Sequence, residues 1–441
     1  MKAYKFRLYP NKEQKILLNK NFGCVRFVYN KILFLVEKTK ELGWCKIKTQ
    51  NGTTVNKKGK TVNTYDVKIV RLSKDEIEQL KNSGIKIEFF NPMDFQYLIS
   101  IWKKGNKYSW LKEVNSVALI FARENLDTAY KNFFNNIKKG IKKGYPKPKN
   151  KFKYNSIQDH QNNYIDEKRG TFSMGKIKDI KCIYHRPMPK GKFKTCTISK
   201  ETDGKFFVSI LISPDNPVVI PDKTDVFNTD NSVGVDLGVI NIATTSDGVK
   251  YPNPRLINKF QEKIAYYQSI LALKKGSNKG EEKSKNYRKI KDKINKLYAK
   301  LCRCREYNQY KIVHDVIKNK DNVFYHDLDI KNMLSKPEAI QKEDGSYEHN
   351  GAKLKAKFNK SLSDASLGGL IVKLKNKCDE YGKNCIPIRE QNISKTCNVC
   401  SHVNNITNTA ESYICQGCGI NLDGDINTAK NILEVGLNIK K

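Results

Sequence analysis

Cys397-Asn-Val-Cys400 and Cys415-Gln-Gly-Cys418 form two C-x2-C knuckles separated by fourteen residues. Each knuckle brings two thiolates to one point, and two knuckles together complete a tetrahedral S4 site that suits Zn2+. All four positions are protein thiols, so no coordination site is left for water and such a metal is structural. Four buried free thiols, or two disulfides, are the alternatives for the same cysteines. Five residues after the last thiol comes Asp423-Gly-Asp425-Ile-Asn427-Thr-Ala429-Lys-Asn431. At the start of a helix, a D-x-D-x-N run can present a carboxylate to a metal from the first turn. An Asp before a helix is also an ordinary N-cap, so the meaning of this run depends on partner carboxylates upstream.

The chain has 82 Lys and Arg against 45 Asp and Glu, a formal charge of +37 over 441 residues. That length accommodates two or three domains with real cores. A charge excess of this size, spread along the whole chain, attracts a polyanion, and nucleic acid is the expected partner. An anionic membrane surface is the rival, but no long apolar run or amphipathic anchor supports it. Met1-Lys-Ala-Tyr-Lys-Phe-Arg has no hydrophobic signal region, which predicts an intracellular protein acting at DNA, in cytoplasm or nucleoid, or in the nucleus of a eukaryotic host. In a reducing compartment the other eight cysteines read as small hydrophobes. Cys302-Arg-Cys304 lies in a helical pattern, where neighbouring thiols diverge.

Lys2 to Tyr9 alternates basic and apolar residues, the period of a half-buried strand, and Pro10 ends it. Asn11-Lys-Glu-Gln14 opens a helix in the manner of a capping box. Residues 45–70 read as a hairpin or loop insertion. Helices are expected at about 74–83 and 93–103, then a strongly amphipathic one ending near Phe134. Lys138 to Lys153 is a basic linker punctuated by Gly and Pro, suited to wrapping phosphate. Short alternating runs from Tyr154 to Ile220 predict a small β-barrel. The first strand is expected to belong to it, with the helices inserted.

Asn231-Ser-Val-Gly-Val-Asp236-Leu-Gly238 begins a new domain, in which an apolar strand delivers one Asp among buried neighbours. Burying an unpaired carboxylate costs several kcal/mol unless it is hydrogen-bonded or holds a metal; both readings stand. Residues 256–320 form a lysine-rich helical hairpin broken at 276–280. A strand ends at His326, a polar insertion runs from about 335 to 360, and an amphipathic helix spans Ser363–Tyr381. The last strand is Cys385-Ile-Pro-Ile-Arg-Glu390.

Taken together, the motifs resemble the TnpB/OrfB family of transposon-encoded proteins. That family includes the eukaryotic and giant-virus relatives called Fanzor and is related to the compact type V CRISPR effectors. The resemblance rests on Met1-Lys-Ala-Tyr-Lys-Phe-Arg-Leu-Tyr-Pro-Asn-Lys-Glu-Gln14, Phe22-Gly-Cys-Val-Arg-Phe-Val-Tyr-Asn30, Gly144-Tyr-Pro-Lys-Pro-Lys149, Val235-Asp-Leu-Gly238, Ser394-Lys-Thr-Cys397 and Asp425-Ile-Asn-Thr-Ala429. It implies an α+β multidomain protein: the first strand of a wedge β-barrel at 1–10, a helical recognition domain at 11–150, and the rest of the barrel at 151–225. A RuvC domain of RNase H-like fold follows at 226–392 and 423–441, with a zinc ribbon inserted at 393–422. The implied activity is RNA-guided DNA endonuclease, with a guide RNA and target double-stranded DNA as partners. A short flanking motif is read by the N-terminal half.

Two-metal phosphodiester hydrolysis needs carboxylates from separate elements to converge on a pair of Mg2+ ions roughly 3.5–4 Å apart. Asp236 and Asp425 match the family's first and third acidic positions. At the second position the resemblance implies a Glu, in an E-D-L-x-x-K-x-M context, where this chain has His326-Asp-Leu-Asp-Ile-Lys-Asn-Met333. Neutral imidazole adds no negative charge and is a poor Mg2+ ligand. Glu390, at a strand end just before the ribbon, is the expected replacement, a variant arrangement found among Fanzor-like members. Asp327 is adjacent to His326 but faces the opposite side of a strand, and Asp329 is a reserve. If no acid replaces the lost Glu, the chain is a nuclease-dead RNA-guided repressor. A DNA strand transferase is the third reading, for which the sequence offers no separate site.

Overall fold

Alternation of basic and apolar residues makes Lys2–Tyr9 a strand, β1, that buries Tyr4, Phe6 and Leu8. Helix α1 (Lys12–Glu41) starts at a reciprocal cap: Gln14 N donates to Asn11 Oδ1 at 2.8 Å, and Asn11 N donates to Gln14 Oε1 at 2.8 Å. Its Leu18, Phe22, Val25, Tyr29, Ile32 and Val36 recur every three or four residues and form one buried face. The computed structural model describes residues 1–441 except 56–60, 142–143, 217–218, 274–283, 343–344, 348, 406–411 and 440–441. The expected hairpin break at 276–280 therefore lies outside the described residues.

The 45–70 stretch is a long hairpin of β2 (Trp44–Val55) and β3 (Thr61–Arg71). After α2 (Lys74–Asn82), a strand absent from the sequence reading, β4 (Lys86–Phe89), adds to β2. The helix expected at 93–103 is shorter: Pro92–Phe95 is a 3-10 turn, and α3 spans Leu98–Lys104. Helix α4 (Ser116–Lys138) follows, capped by Asn115, whose Oδ1 accepts from Val117 N at 3.1 Å.

Six further strands complete the sheet: β5 (Ser156–Asp159), β6 (Asn163–Asp166), β7 (Thr171–Met174), β8 (Ile177–Ile183), β9 (Gly191–Lys200) and β10 (Phe206–Pro214). With β1 they form one antiparallel sheet in the order β5-β9-β10-β1-β8-β7-β6, curled into a nearly closed barrel. As expected, β1 is part of it. The apolar residues of the barrel share a core with α1 and α4, within a unit spanning Met1–Pro217.

The second unit, Val218–Lys441, is built on a mixed sheet. Strands β11 (Ser232–Asp236), β12 (Asn241–Thr245) and β13 (Lys250–Pro252) form an antiparallel meander. Helices α5 (Leu256–Leu273) and α6 (Lys285–Ile317) then lead to β14 (Asn322–His326), parallel to β11. A one-turn helix α7 (Ile330–Met333), α8 (Ala352–Ala365) and α9 (Leu367–Tyr381) lead to β15 (Asn384–Ile388), parallel to β14. The order β13-β12-β11-β14-β15 is that of an RNase H-like sheet. The helix expected over Ser363–Tyr381 begins at Leu367 instead, because Ser366 sits at a left-handed φ of 53° and ends α8. Strands β16 (Tyr413–Ile414) and β17 (Asn421–Leu422) belong to the cysteine ribbon, and α10 (Gly424–Leu437) closes the chain. No helix among the described residues is long and apolar enough to cross a membrane.

Helix α10 lies directly on β11 and β14, and a glycine permits each contact. A Cβ on Gly234 would fall 2.1 Å from the Ala429 carbonyl oxygen, and one on Gly436 would fall 2.3 Å from the Phe324 ring. Neither contact can be relieved without moving the helix off the sheet. Gly234→Ala is accordingly expected to cost about 3 kcal/mol, lowering Tm by about 5–10 °C. Thermal unfolding of the full chain measures the shift, and hydrogen exchange should show early loss of protection in α10.

Candidate functional site

Strands β11, β14 and β15 run parallel, so their C-terminal ends share one edge of the sheet. Val235 is in register with Tyr325, and Tyr325 with Pro387, which puts Asp236, His326 and Ile388 level with one another. Gly234 faces α10, and by alternation Asp236, two residues on, shares that face. The first turn of α10 carries Asp425. Asn241 Nδ2 on β12 donates to Asp425 Oδ2 at 2.8 Å, and the hydroxyl of Thr244 lies 3.5 Å from the same oxygen. Thr244 is the β12 partner of Asp236 in the ladder. The two acids, 189 positions apart in sequence, are thus electrostatic neighbours. Burial first, and the Asp425 carboxylate second, push Asp236 up to about 7.

Helix α10 is anchored at its start. Asp423 caps it by accepting from Ile426 N at 3.1 Å, and Lys250 on β13 pairs with the same carboxylate. His326 is partly buried, and desolvation holds its imidazole below the ordinary value despite neighbouring Asp327, so it is neutral at pH 7. Asp327 pairs with Arg389 at 2.7 Å. Asp329 is occupied as a cap, accepting from Asn332 N at 3.1 Å. Glu390 lies two residues beyond β15, exposed, at the same sheet edge. The structure does not gather Asp236, Glu390 and Asp425 into one tight ligand set. Among the described residues, the one group of three or more potential ligands with all donor atoms within 4.8 Å of one another is Cys397, Cys400, Cys415 and Cys418.

Those cysteines fit zinc. Cys397 Sγ lies 3.9 Å from Cys418 Sγ, and Cys400 Sγ lies 3.5 Å from Cys415 Sγ. A regular tetrahedron with Zn–S bonds of about 2.3 Å has edges of roughly 3.8 Å, whereas a disulfide needs about 2.05 Å. The backbone N–H of Cys418, and then that of Gly417, donate to Cys415 Sγ and pull its thiol down to about 6. A thiol lowered in this way suits a thiolate-bound cation.

Three family models match the chain. Residues 1–39 match a "Helix-turn-helix domain" of OrfB/IS605 type, residues 215–336 match the OrfB/IS605 "Probable transposase", and residues 368–432 match "Cas12f1-like, TNB domain". A Streptomyces pristinaespiralis protein named "Putative RNA-guided DNA endonuclease" is 27% identical over 99% of this chain and 89% of its own length. "TnpB-like protein L79" of Acanthamoeba polyphaga mimivirus is 24% identical over 98% of this chain and 73% of its own. These matches place the chain's similarity with the TnpB/OrfB family. Among solved structures, "Cryo-EM structure of the Cas12f1-sgRNA-target DNA complex" is similar over 98% of both chains, at 15% identity and a TM-score of 0.44.

Beside these matches, two features stand out. The segment matched as helix-turn-helix is here a strand followed by one continuous helix, β1 and α1. The asparagines of the D-x-D-x-N run also have a role that the sequence reading missed. Asn427 Oδ1 accepts from Asn398 N at 2.9 Å, and its Nδ2 donates to the Thr396 carbonyl at 2.8 Å. Asn431 Nδ2 donates to the Ile393 and Thr396 carbonyls at 2.8 and 2.7 Å. Both side chains are buried and clamp the first knuckle to α10. Their spacing of four, one helical turn, was the available signal.

Two outcomes follow from this geometry. The purified chain should carry one zinc per molecule, and Cys415→Ser should lose it, with the ribbon unfolding and Tm falling; metal analysis and calorimetry read both. Asp236 titrates at about 7, above the usual carboxylate range, so between about pH 4 and 7 the folded chain keeps a proton that the unfolded chain has released. Stability from this group therefore declines as pH rises through that window. At pH 8 without divalent cations, Asp236→Asn should be more stable than the native chain by on the order of a few kcal/mol. The gain should vanish near pH 4, as denaturant titrations at the two pH values would show.

Proposed function

We propose that the chain is a Mg2+-dependent, RNA-guided DNA endonuclease of RuvC type, encoded by a transposable element and cutting DNA complementary to its guide beside a short flanking motif. The observation that carries this reading is the pairing of Asp236 with Asp425 at the C-terminal edge of the parallel strands. The names of the full-length relatives support it. So does the formal charge of +37, which suits an RNA–DNA heteroduplex held through its phosphates.

Asp236, Glu390 and Asp425 are the proposed Mg2+ ligands. When bound, a pair of divalent ions supplies an activated water on one side of the phosphate and charge stabilisation of the leaving 3′ oxygen on the other. Asp236 contributes by giving up its proton; its raised value falls once a cation sits beside it. Asn241 orients Asp425 by holding Oδ2. Lys250 fixes the start of α10 through Asp423, so that the Asp425 carboxylate does not drift. Glu390 contributes from beyond β15, two strands away from Asp236. At about 4.8 Å per strand and 3.3 Å per residue, its Cα is on the order of 12 Å from that of Asp236. Bound divalent ions would be held between these two carboxylates. Cys397, Cys400, Cys415 and Cys418 hold structural zinc, leaving no position for substrate. The barrel with its inserted helices serves as the wedge and recognition parts, and residues 226–392 and 423–441 as the nuclease.

A plasmid carrying a guide match and the flanking motif tests this. The native chain with its co-purified RNA should cut it in Mg2+, and Glu390→Ala should bind the target but not cut. Normal cutting by Glu390→Ala would reject this residue as the third ligand. Target binding by the native chain, with no cutting in any divalent metal, would favour the repressor.

A further inference from the structure

The barrel-and-helix unit holds a cavity that plays no part in the carboxylate or cysteine sites. It is about 480 Å3, bounded by Val36 and Lys40 of α1, the end of β4, the second half of α4 and the basic linker. Six of its eleven lining residues are aromatic: Phe89, Phe90, Tyr130, Phe133, Phe134 and Tyr145. One wall is braced from within. The Tyr145 ring stands edge-on to Tyr130 and Phe133, with centroids 5.4 and 5.2 Å apart, and the Tyr130 and Tyr145 hydroxyls are hydrogen-bonded at 2.8 Å. Phe134, beside that wall, remains 53% exposed, and Phe89 and Phe90 are only partly covered.

The charge around this cavity is specific. The ammonium groups of Lys40 and Lys81 lie 5.9 and 5.8 Å from the centroid of the Phe89 ring. The single lining carboxylate, Glu88, is paired with Lys48 at 2.8 Å, so the cations at Phe89 are not neutralised by it. A purely apolar occupant would gain nothing from two ammonium groups at the mouth. A bare phosphate would gain nothing from six rings. A nucleotide meets both, with its base against the aromatic walls and its phosphate toward the lysines. A base inside a duplex has both faces covered by its neighbours, so the entrant must be unpaired, as in a loop or bulge of folded RNA.

We propose that this cavity binds one unpaired base of the guide RNA, stacked against Phe89 and Phe134, with the adjoining phosphate held by Lys40 and Lys81. The assignment rests on the RNA-guided reading above and adds a base-binding pocket to it. Such a pocket adds recognition of a base at one position of the guide's scaffold, something a lysine-covered surface cannot supply because phosphate contacts carry no sequence information.

The test uses the full chain purified with its own RNA and irradiated with ultraviolet light, with nucleotide adducts mapped by mass spectrometry. A single predominant nucleotide should be found on peptides carrying Phe89, Phe133, Phe134 or Tyr145. Phe134→Ala removes a ring that is half in solvent, so the fold should hold. Adduct yield should fall about tenfold while total bound RNA stays within about twofold, and Phe134→Tyr should restore the yield. RNA-bound protein with no adduct on these peptides, or a yield unmoved in Phe134→Ala, would overturn the pocket and leave the nuclease reading standing. Protein that purifies free of RNA and still cuts its target would overturn both.

Discussion

The contact of α10 with β11 and β14 through two glycines is the constraint on which the second unit depends. Gly234 and Gly436 let backbone meet backbone and ring, at separations no other residue permits. That approach sets the height of the helix above the sheet, and so the position of its first turn. Asp425 arrives beside Asp236 because the helix cannot sit further out. The same helix then carries the ribbon, since Asn427 and Asn431 hold the backbone around the first knuckle. Sheet, helix and four-cysteine ribbon are thereby coupled in series, and a metal that staples the ribbon also steadies the helix that presents an acid.

The electrostatics follow from that packing. Two carboxylates in a partly buried cleft oppose each other's ionisation, and Asp236 shows it. Such an arrangement is costly for the protein alone and favourable only when a cation or a proton compensates it. The neighbouring polar groups are spent on orientation rather than neutralisation: Asn241 and Thr244 address one oxygen of Asp425, and Lys250 is engaged by Asp423. Elsewhere the chain carries its large positive excess, which suits binding of polyanions. Asp236 and Asp425 are pressed together against that excess.

Much of this was legible in the residues. The alternation of Lys2–Tyr9, the capping box at Asn11, the knuckle spacing and the apolar strand ending in Asp236 each encode a local geometry, and each forms as read. Strand alternation also predicted Asp327 on the opposite side from His326, where it pairs with Arg389. What escaped was non-local or marginal. Strand β4 is four residues long and exists because β2 offers it an edge. The break between α8 and α9 turns on a single left-handed serine, a conformation that the periodicity of Ser363–Tyr381 does not announce. Asn427 and Asn431 looked like part of a metal motif, but they bond to carbonyl and amide groups 29 to 38 residues upstream.

By itself, the sequence determined the kinds of element, the membership of the four-cysteine ribbon and the candidate acids, because those depend on periods of two, three and four residues that any local stretch displays. The tertiary structure alone decided which acids meet. The level of Asp236 with His326 and Ile388 is a property of strand register, and the arrival of Asp425 is a property of how closely a helix may approach a sheet. Both are set by packing between segments nearly two hundred residues apart, and no local pattern records them.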